Sequence, residues 1–138
     1  MGLDMYAYAV DKNGEEESLA DWRKHNRLHG FMEDLWESKG RPFNGDLDDH
    51  ENAMGDFNCV PLELEAGDLE DLFECITNKT MPETGGFFFG NDSFSWDNDD
   101  GKPFGENDYY YKETDLNFIR DAIKAIQQGK KVYYNSWW

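Results

Sequence analysis

Residues 22–36, WRKHNRLHGFMEDLW, have the clearest helical periodicity in the chain. The spacing i, i+3, i+4 and i+7, typical of one buried helical face, is followed by Leu28, Phe31, Met32 and Leu35. We therefore predict a helix over residues 18–38, with Ser18 as its N-cap and this face against the core. A second stripe borders the apolar face and consists of Trp22, His25, His29 and Trp36. Arg23 and Arg27 lie four residues apart and are predicted to face solvent.

The segments around this helix predict strands and two further helices. Aromatic or alternating runs favour strands at residues 3–10, 58–65, 108–112 and 132–138. A second helix is predicted from Asp68 and a third is predicted to be capped by Thr114. Their predicted buried faces are Leu69, Leu72, Phe73 and Ile76, and Leu116, Ile119, Ile123 and Ile126. This order predicts one α+β domain over residues 1–138, with a mostly antiparallel sheet of four to five strands and about three helices on one face.

Two acidic loops are predicted around residues 40–57 and 91–107. The first contains Asp46, Asp48 and Asp49. Between the second helix and the second loop lies a run of three phenylalanines centred on Phe88, with glycines on both sides. We expect this run to be buried, because an exposed triple phenylalanine would promote aggregation.

Charge is the strongest global property of the sequence. The 138 residues have a formal net charge of −17 and are 38% hydrophobic, which favours a folded acidic protein over a disordered tail. Such a charge repels nucleic acids and anionic membranes, so we expect neither as a direct partner. No apolar run approaches the roughly 20 residues of a membrane span, and the first residues lack a signal-peptide pattern. We therefore expect a cytoplasmic protein.

Four motifs occur in a fixed order: MGLDMY at residues 1–6, WRKHNRLH at 22–29, TGGFFFG at 84–90 and YYNSWW at 133–138. Together they resemble a family of small uncharacterised proteins found in bacteriophage and bacterial genomes. The resemblance covers nearly the whole chain and implies a cytosolic, phage-encoded protein, but it implies no activity. The two acidic loops depart from the family's pattern. The matching positions are Trp22, Arg23, Lys24, Asn26, His29, residues 86–90, Tyr134, Ser136 and Trp137.

A divalent metal is one candidate ligand. His25 and His29 are four residues apart, so a continuous helix would place both imidazoles on one side, as zinc sites require. Asn26 stands where the HExxH motif has glutamate, and a third ligand such as His50 or Cys59 would have to come from elsewhere. We interpret the two histidines as half-buried residues between tryptophans rather than as metal ligands.

An enzyme pocket is a second candidate. Arg23, Lys24, His29, Ser136 and the phenylalanine run would form it, with His29 as a base because an imidazole titrates near neutrality. No G-x-S-x-G elbow surrounds Ser136, and neither a P-loop nor a G-x-G-x-x-G motif is present. The residues therefore favour a binding protein over an enzyme and give no support for a cofactor.

A weak surface calcium site is a third candidate, at residues 97–101 (DNDDG), because carboxylates in a glycine-containing loop suit a hard cation. The spacing does not match an EF-hand loop.

The function that the sequence favours is a non-catalytic binding module for a basic protein. The acidic loops and the second helix would present a negative face, and electrostatic complementarity would accelerate association. For a phage-encoded chain, a host nucleic-acid-binding protein is the predicted partner. The residues predicted to bind are Trp22, Arg23, Lys24, Asn26, His29, Phe88, Ser136, Trp137, Asp46, Asp48 and Asp49.

Overall fold

The computed structural model of the chain describes residues 2–42, 57, 59–83 and 90–138. Within these ranges there are four strands and three α-helices, and a short 3-10 helix at Ser93–Ser95. The elements follow one another as β1 (Asp4–Val10), β2 (Glu16–Arg23), α1 (Asn26–Ser38), β3 (Leu62–Leu64), α2 (Ala66–Thr77), α3 (Lys112–Gln127) and β4 (Lys131–Trp137). The predicted α+β class is confirmed.

The four strands form one antiparallel sheet in the order β2-β1-β4-β3. The first and last strands are therefore neighbours at its centre, and their register runs from Asp4 opposite Trp137 to Val10 opposite Lys131. β3 is a short edge strand, and Pro61 immediately before it has no N–H to donate to a sheet ladder, which suits an edge position. The predicted antiparallel sheet is confirmed. Four strands were found among the described residues, where four to five were predicted.

The core lies between the inner face of the sheet and the helices. Alternate residues of β1 and β4 point into it, and most of them are less than 2% exposed. From α1, Leu28 and Met32 are fully buried but Phe31 and Leu35 are only half-buried, so the predicted apolar face is confirmed in part. None of the described helices is long and apolar enough to span a membrane.

The predicted start of the first helix at Ser18 is wrong. Residues Glu16–Arg23 form β2, and α1 begins only at Asn26 with His25 as its N-cap. The preceding turn is the physical reason, because it folds β2 back onto β1. The Asp11 side chain accepts hydrogen bonds from the backbone N–H groups of Asn13 and Glu15, at 2.8 and 3.0 Å. Pairing with β1 then overrides the weak helical preference of β2.

The predicted strand at residues 108–112 is also wrong. The chain turns there, with the N–H of Lys112 donating to the carbonyl of Tyr109 over 3.2 Å, and α3 starts at Lys112. The aromatic side chains that favoured a strand are used differently, because Tyr109 is buried against the start of α3. Consecutive tyrosines are typical of strands only when a neighbouring strand can cover them.

The predicted buried faces of α2 and α3 are only partly correct. Phe73 is 49% exposed although its helical spacing predicted burial. The buried face of α3 is rotated from the predicted one toward the alanines of the helix. It consists of Asp115, Phe118, Ile119, Ala122 and Ala125. Leu116 and Ile123 consequently lie at the edge of the core.

Candidate functional site

The predicted binding residues lie in separate places. Trp22, His25 and Asn26 belong to a buried network with residues from later in the chain. His29 and Ser136 belong to a second buried group beside β4. Three others are exposed or half-buried: Arg23, Lys24 and Trp137. Four lie outside the described residues: Phe88, Asp46, Asp48 and Asp49.

Asp115, in the first turn of α3, is a fully buried carboxylate with three hydrogen-bond donors. Trp22 Nε1 donates over 2.8 Å, and the hydroxyl of Tyr109 donates over 2.6 Å. The third donor is His25 Nε2, also at 2.8 Å. Burial and the nearby carboxylate raise the pKa of Tyr109, so its hydroxyl keeps the proton that it donates. Because a buried carboxylate is unfavourable without such partners, these donors fix α3 against β2 and the start of α1.

His25 connects Asp115 to Ser93, whose hydroxyl lies 2.9 Å from His25 Nδ1. The order Ser-His-Asp is that of a hydrolase triad, but here each of the three residues is at most 1% exposed. Ser93 also accepts a hydrogen bond from the backbone N–H of Arg27, and its own N–H donates to Asn26 Oδ1. The arrangement is therefore suited to anchoring the 3-10 helix to the start of α1 rather than to attacking a substrate.

Arg27 extends this network to the surface, and the prediction that it faces solvent is wrong. Its Nε and Nη2 atoms donate to the two carboxylate oxygens of Asp92 over 2.8 and 2.6 Å. Nη1 donates to the carbonyl of Met81, and the guanidinium lies 4.5 Å from the ring centre of Phe94. The bidentate pair lowers the pKa of Asp92 and raises that of Arg27. Only a planar guanidinium can make all these contacts together.

We expect Arg27→Lys to lower the free energy of unfolding by about 1–2 kcal/mol, because lysine keeps the charge but loses the bidentate geometry. Urea unfolding followed by tryptophan fluorescence would measure the change. Arg23→Lys is the matched control, since the Arg23 side chain is 67% exposed and lies 4.0 Å from Asp4. A control loss as large as that of Arg27→Lys would contradict the prediction.

His29 is enclosed by aromatic side chains. Its Nδ1 atom lies 2.7 Å from the hydroxyl of Tyr134, and its ring stacks on Phe57 with 5.3 Å between ring centres. Trp138 meets the ring edge-on at 5.1 Å, and a carboxylate oxygen of Glu33 lies 4.0 Å from Nε2. Burial lowers the pKa of His29 to about 3, so the imidazole is neutral at pH 7. A neutral ring with its proton on Nε2 accepts the Tyr134 hydroxyl at Nδ1.

The two histidines therefore face different surroundings despite their i, i+4 spacing. Both ring nitrogens of His25 are engaged by protein groups, Ser93 and Asp115. Across the described ranges no group of three or more His, Cys, Asp or Glu side chains is placed to hold a metal ion. In the loop proposed for calcium, the Asn98 side chain accepts hydrogen bonds from the N–H groups of Asp100 and Lys102, which is the geometry of a tight turn. The zinc and calcium sites stay hypotheses that the sequence favours less than a purely structural role.

The proposed enzyme pocket is spread over several parts of the fold. Ser136 is buried beside the hydroxyl of Tyr134, and burial raises the pKa of that tyrosine. Arg23 lies at the surface, where its backbone N–H donates to the Tyr111 hydroxyl over 3.0 Å. Lys24 has φ +58° and packs its aliphatic chain along the backbone at Gly2 and Gly90. The structure therefore brings His29 near Ser136 but does not place Arg23 with them.

An accessible group of aromatic residues lies on the outer face of the sheet, where no described helix packs. We call this surface the open face; its side chains alternate with those that enter the core. Tyr8 stacks on Tyr6 and on Tyr133, with ring centres 6.4 and 5.6 Å apart. Tyr6 is 41% exposed. Trp137, on the same side of β4 as Tyr133, is 52% exposed. The aromatic residues of the open face are Tyr6, Tyr8, Tyr133 and Trp137.

Carboxylates surround these aromatic rings. The strand register places Asp21 opposite Tyr6 and Glu63 opposite Tyr133. Two shallow depressions of about 440 Å³ each meet at Tyr6, one bordered by Glu16 and the other by Asp4 and Asp21. Burial and the nearby Glu16 raise the pKa of Tyr8 to about 12, so its hydroxyl stays protonated at neutral pH. The acidic residues of the open face are Asp4, Glu16, Asp21 and Glu63, against two basic ones, Arg23 and Lys131.

Sequence reasoning missed both the Asp115 network and the open face. The alternation in residues 3–10 contained a signal for the face, because it places Tyr6 and Tyr8 on the same side of a strand. The remaining members depend on the pairing of β1 with β4, which no local pattern predicts. Nothing in the spacing of Asp115 and Trp22 indicated their contact.

These geometric features are the basis for a functional argument, because comparison with known proteins adds nothing to them. No family model, no curated protein and no solved structure matches this chain.

Proposed function

We propose that the chain is a non-catalytic binding protein whose open face docks a basic segment of a partner protein. The observation that carries this proposal is the group of four tyrosine and tryptophan side chains, two exposed and two half-buried, that lie among carboxylates where no described helix packs. Tyrosine and tryptophan are the residues that most often dominate binding energy at protein interfaces. They contribute large apolar contact area while keeping a polar group available for hydrogen bonding.

Charge supports a basic partner. Four carboxylates and two basic groups belong to the open face, and the whole chain has a net charge of −17. Arginine and lysine side chains can stack on tyrosine and tryptophan rings while pairing with neighbouring carboxylates. The long-range negative field would also accelerate encounter with a basic surface and would disfavour nucleic acids.

The burial of both histidines favours this proposal over a site built on them. His25 and His29 are 0% exposed, so a substrate would have to displace core side chains to reach either ring. The resemblance to phage and bacterial proteins supports a cytoplasmic setting in which the basic partner is a host protein. A nucleic-acid-binding protein has the required basic surface, and an acidic face would compete there with nucleic acid.

The test uses a short peptide of alternating arginine and valine, titrated into the protein by calorimetry at low and physiological salt. We expect Asp4→Lys combined with Asp21→Lys to weaken binding about tenfold or more, through repulsion on the open face. Trp137→Ala should weaken it to a similar extent without changing the charge. Affinity for the unaltered chain should fall as salt rises, because exposed charges are screened.

The matched control is Asp100→Lys combined with Glu106→Lys, which makes the same charge change in the exposed loop of residues 91–107. This variant should retain affinity within about threefold, because neither residue lies on the strands that form the open face. An equal loss in the loop variant would transfer the docking site to the acidic loop that the sequence predicted. Full affinity in both the lysine and the Trp137 variants would refute the open face as the binding site.

A further inference from the structure

Within the described ranges, a second surface without a covering element lies between α2 and α3, on the helical side of the molecule. It is a groove of about 500 Å³, and its lining is almost entirely apolar. Phe73 is its most accessible apolar side chain, with 49% of its surface exposed. One charged residue from each helix borders the groove, Glu70 on α2 and Arg120 on α3. The apolar lining consists of Leu69, Phe73, Leu116, Ile119 and Ile123.

These side chains have the sequence pattern of a buried face, but Phe73 is exposed and Leu116 and Ile123 are only half-buried. Leu69 and Phe73 follow helical spacing in α2, and Leu116, Ile119 and Ile123 follow it in α3. The sheet covers only part of each row, because α3 turns Phe118 and Ala122 toward the core instead. A contiguous apolar surface at helical spacing is typical of a protein–protein contact.

The charges along the groove indicate which partner fits. On α2 the exposed charged residues beside Phe73 are acidic, Glu70 and Glu74. On α3 the charged residue that borders the groove is basic, Arg120. A complementary partner must therefore have a basic helix edge over α2 and an acidic helix edge over α3. The helix pair of this chain has both of these edges.

We propose that this groove is the contact surface of a symmetric homodimer. A two-fold axis parallel to the groove places α2 of one copy over α3 of the other. This rotation does not change the position of any residue along the axis. Glu70 of each copy then lies beside Arg120 of the other, and the two Phe73 side chains enter the shared groove. The pairing occurs twice, as a two-fold interface requires. This surface is separate from the open face, so the homodimer does not depend on the proposed function.

Salt should affect the dimer in the opposite direction from the basic partner. Each copy has a net charge of −17, so two copies repel at long range. Added salt screens this repulsion while leaving the apolar contact intact. Dimerisation is therefore expected to strengthen with ionic strength.

Sedimentation velocity of the full chain over a range of concentrations tests the proposal. The unaltered chain should reach the dimer mass, whereas Glu70→Arg and Arg120→Glu should each raise the dimer dissociation constant about tenfold or more. An equimolar mixture of these two variants should recover the dimer, because each mixed dimer has one native and one reversed charge pair. Rescue between two different chains cannot arise from contacts within one chain.

Phe73→Ser should also dissociate the dimer, whereas Trp137→Ala, which removes an equally exposed aromatic residue from the open face, should not. Circular dichroism would verify that every variant is folded. A chain that is monomeric at all concentrations and salt levels would overturn the proposal and leave the groove to a different partner. A dimer that survives both single charge reversals, or variants that fail to recover on mixing, would also overturn it.

Discussion

Asp115→Ala is expected to lower the free energy of unfolding by about 3–5 kcal/mol, because three buried donors each lose their acceptor at a cost of about 1–3 kcal/mol. The substitution removes the acceptor for Trp22, His25 and Tyr109, which donate to the carboxylate over 2.6 to 2.8 Å. Each donor would then remain buried without its acceptor, and this desolvation penalty adds to the lost hydrogen bonds. Urea unfolding at pH 7, followed by tryptophan fluorescence and circular dichroism, would measure the loss.

Asp121→Ala is the matched control, because it removes a carboxylate from the same helix that pairs with the exposed Arg120, at 3.5 Å. Its effect should stay within about 0.5 kcal/mol. Asp115→Asn should fall between the two, since an amide oxygen can still accept from Trp22 or Tyr109. Equal losses for Asp115→Ala and Asp121→Ala would show that the buried carboxylate has no special structural role.

The second large effect is a loss of stability in mild acid that originates at His29. Its pKa is about 3 in the folded chain and about 6.5 when unfolded, so below pH 6.5 the unfolded state binds the additional proton. The contribution of His29 is therefore complete above pH 6.5 and decreases as the pH falls toward 3, by about 1.4 kcal/mol per pH unit. Between pH 7 and pH 5 we expect a loss of about 2 kcal/mol from this residue.

His29→Gln isolates this contribution, because glutamine can accept the Tyr134 hydroxyl but does not titrate. The free energy of unfolding of both chains would be measured at pH 7 and at pH 5. The unaltered chain should lose about 2 kcal/mol more than the variant over this interval, because the other titrating groups are common to both. Glu33 lies 4.0 Å from Nε2, but its side chain is 40% exposed and can compensate only weakly for a buried positive charge. Equal losses in the two chains would refute the prediction.

Local patterns predicted the fold class and most elements. The alternation of residues 3–10 and the apolar spacing around Leu28 and Met32 are properties of single elements, so they remain readable without the rest of the chain. The start of the first helix was wrong because Glu16–Arg23 pairs with β1, an interaction between segments. The strand predicted at residues 108–112 was wrong for a similar reason, because Tyr109 contacts Asp115 rather than a neighbouring strand.

The candidate surfaces were less predictable than the fold. Charge and aromatic content suggested a binding protein, but they did not place the aromatic residues on the sheet. Tyr8 and Tyr133 become neighbours only through the pairing of β1 and β4. For Phe73 the helical spacing predicted burial, but the side chain is exposed. Whether a helical face is covered depends on tertiary packing, which the sequence of one helix does not determine.

The central position of β1 and β4 has a consequence for how the chain acquires its fold. β1 is synthesised before the other described strands, yet one of its two neighbours in the sheet is β4, the last of them. Until β4 has been synthesised, the edge of β1 that later pairs with it has no hydrogen-bond partner, and the apolar face of the β1–β2 hairpin is incompletely covered. Both features promote association with other nascent chains. Contacts between such distant segments also slow folding, because a long loop must close before they form. Expression yield should therefore depend on chaperone capacity more strongly than the modest size of the protein would suggest.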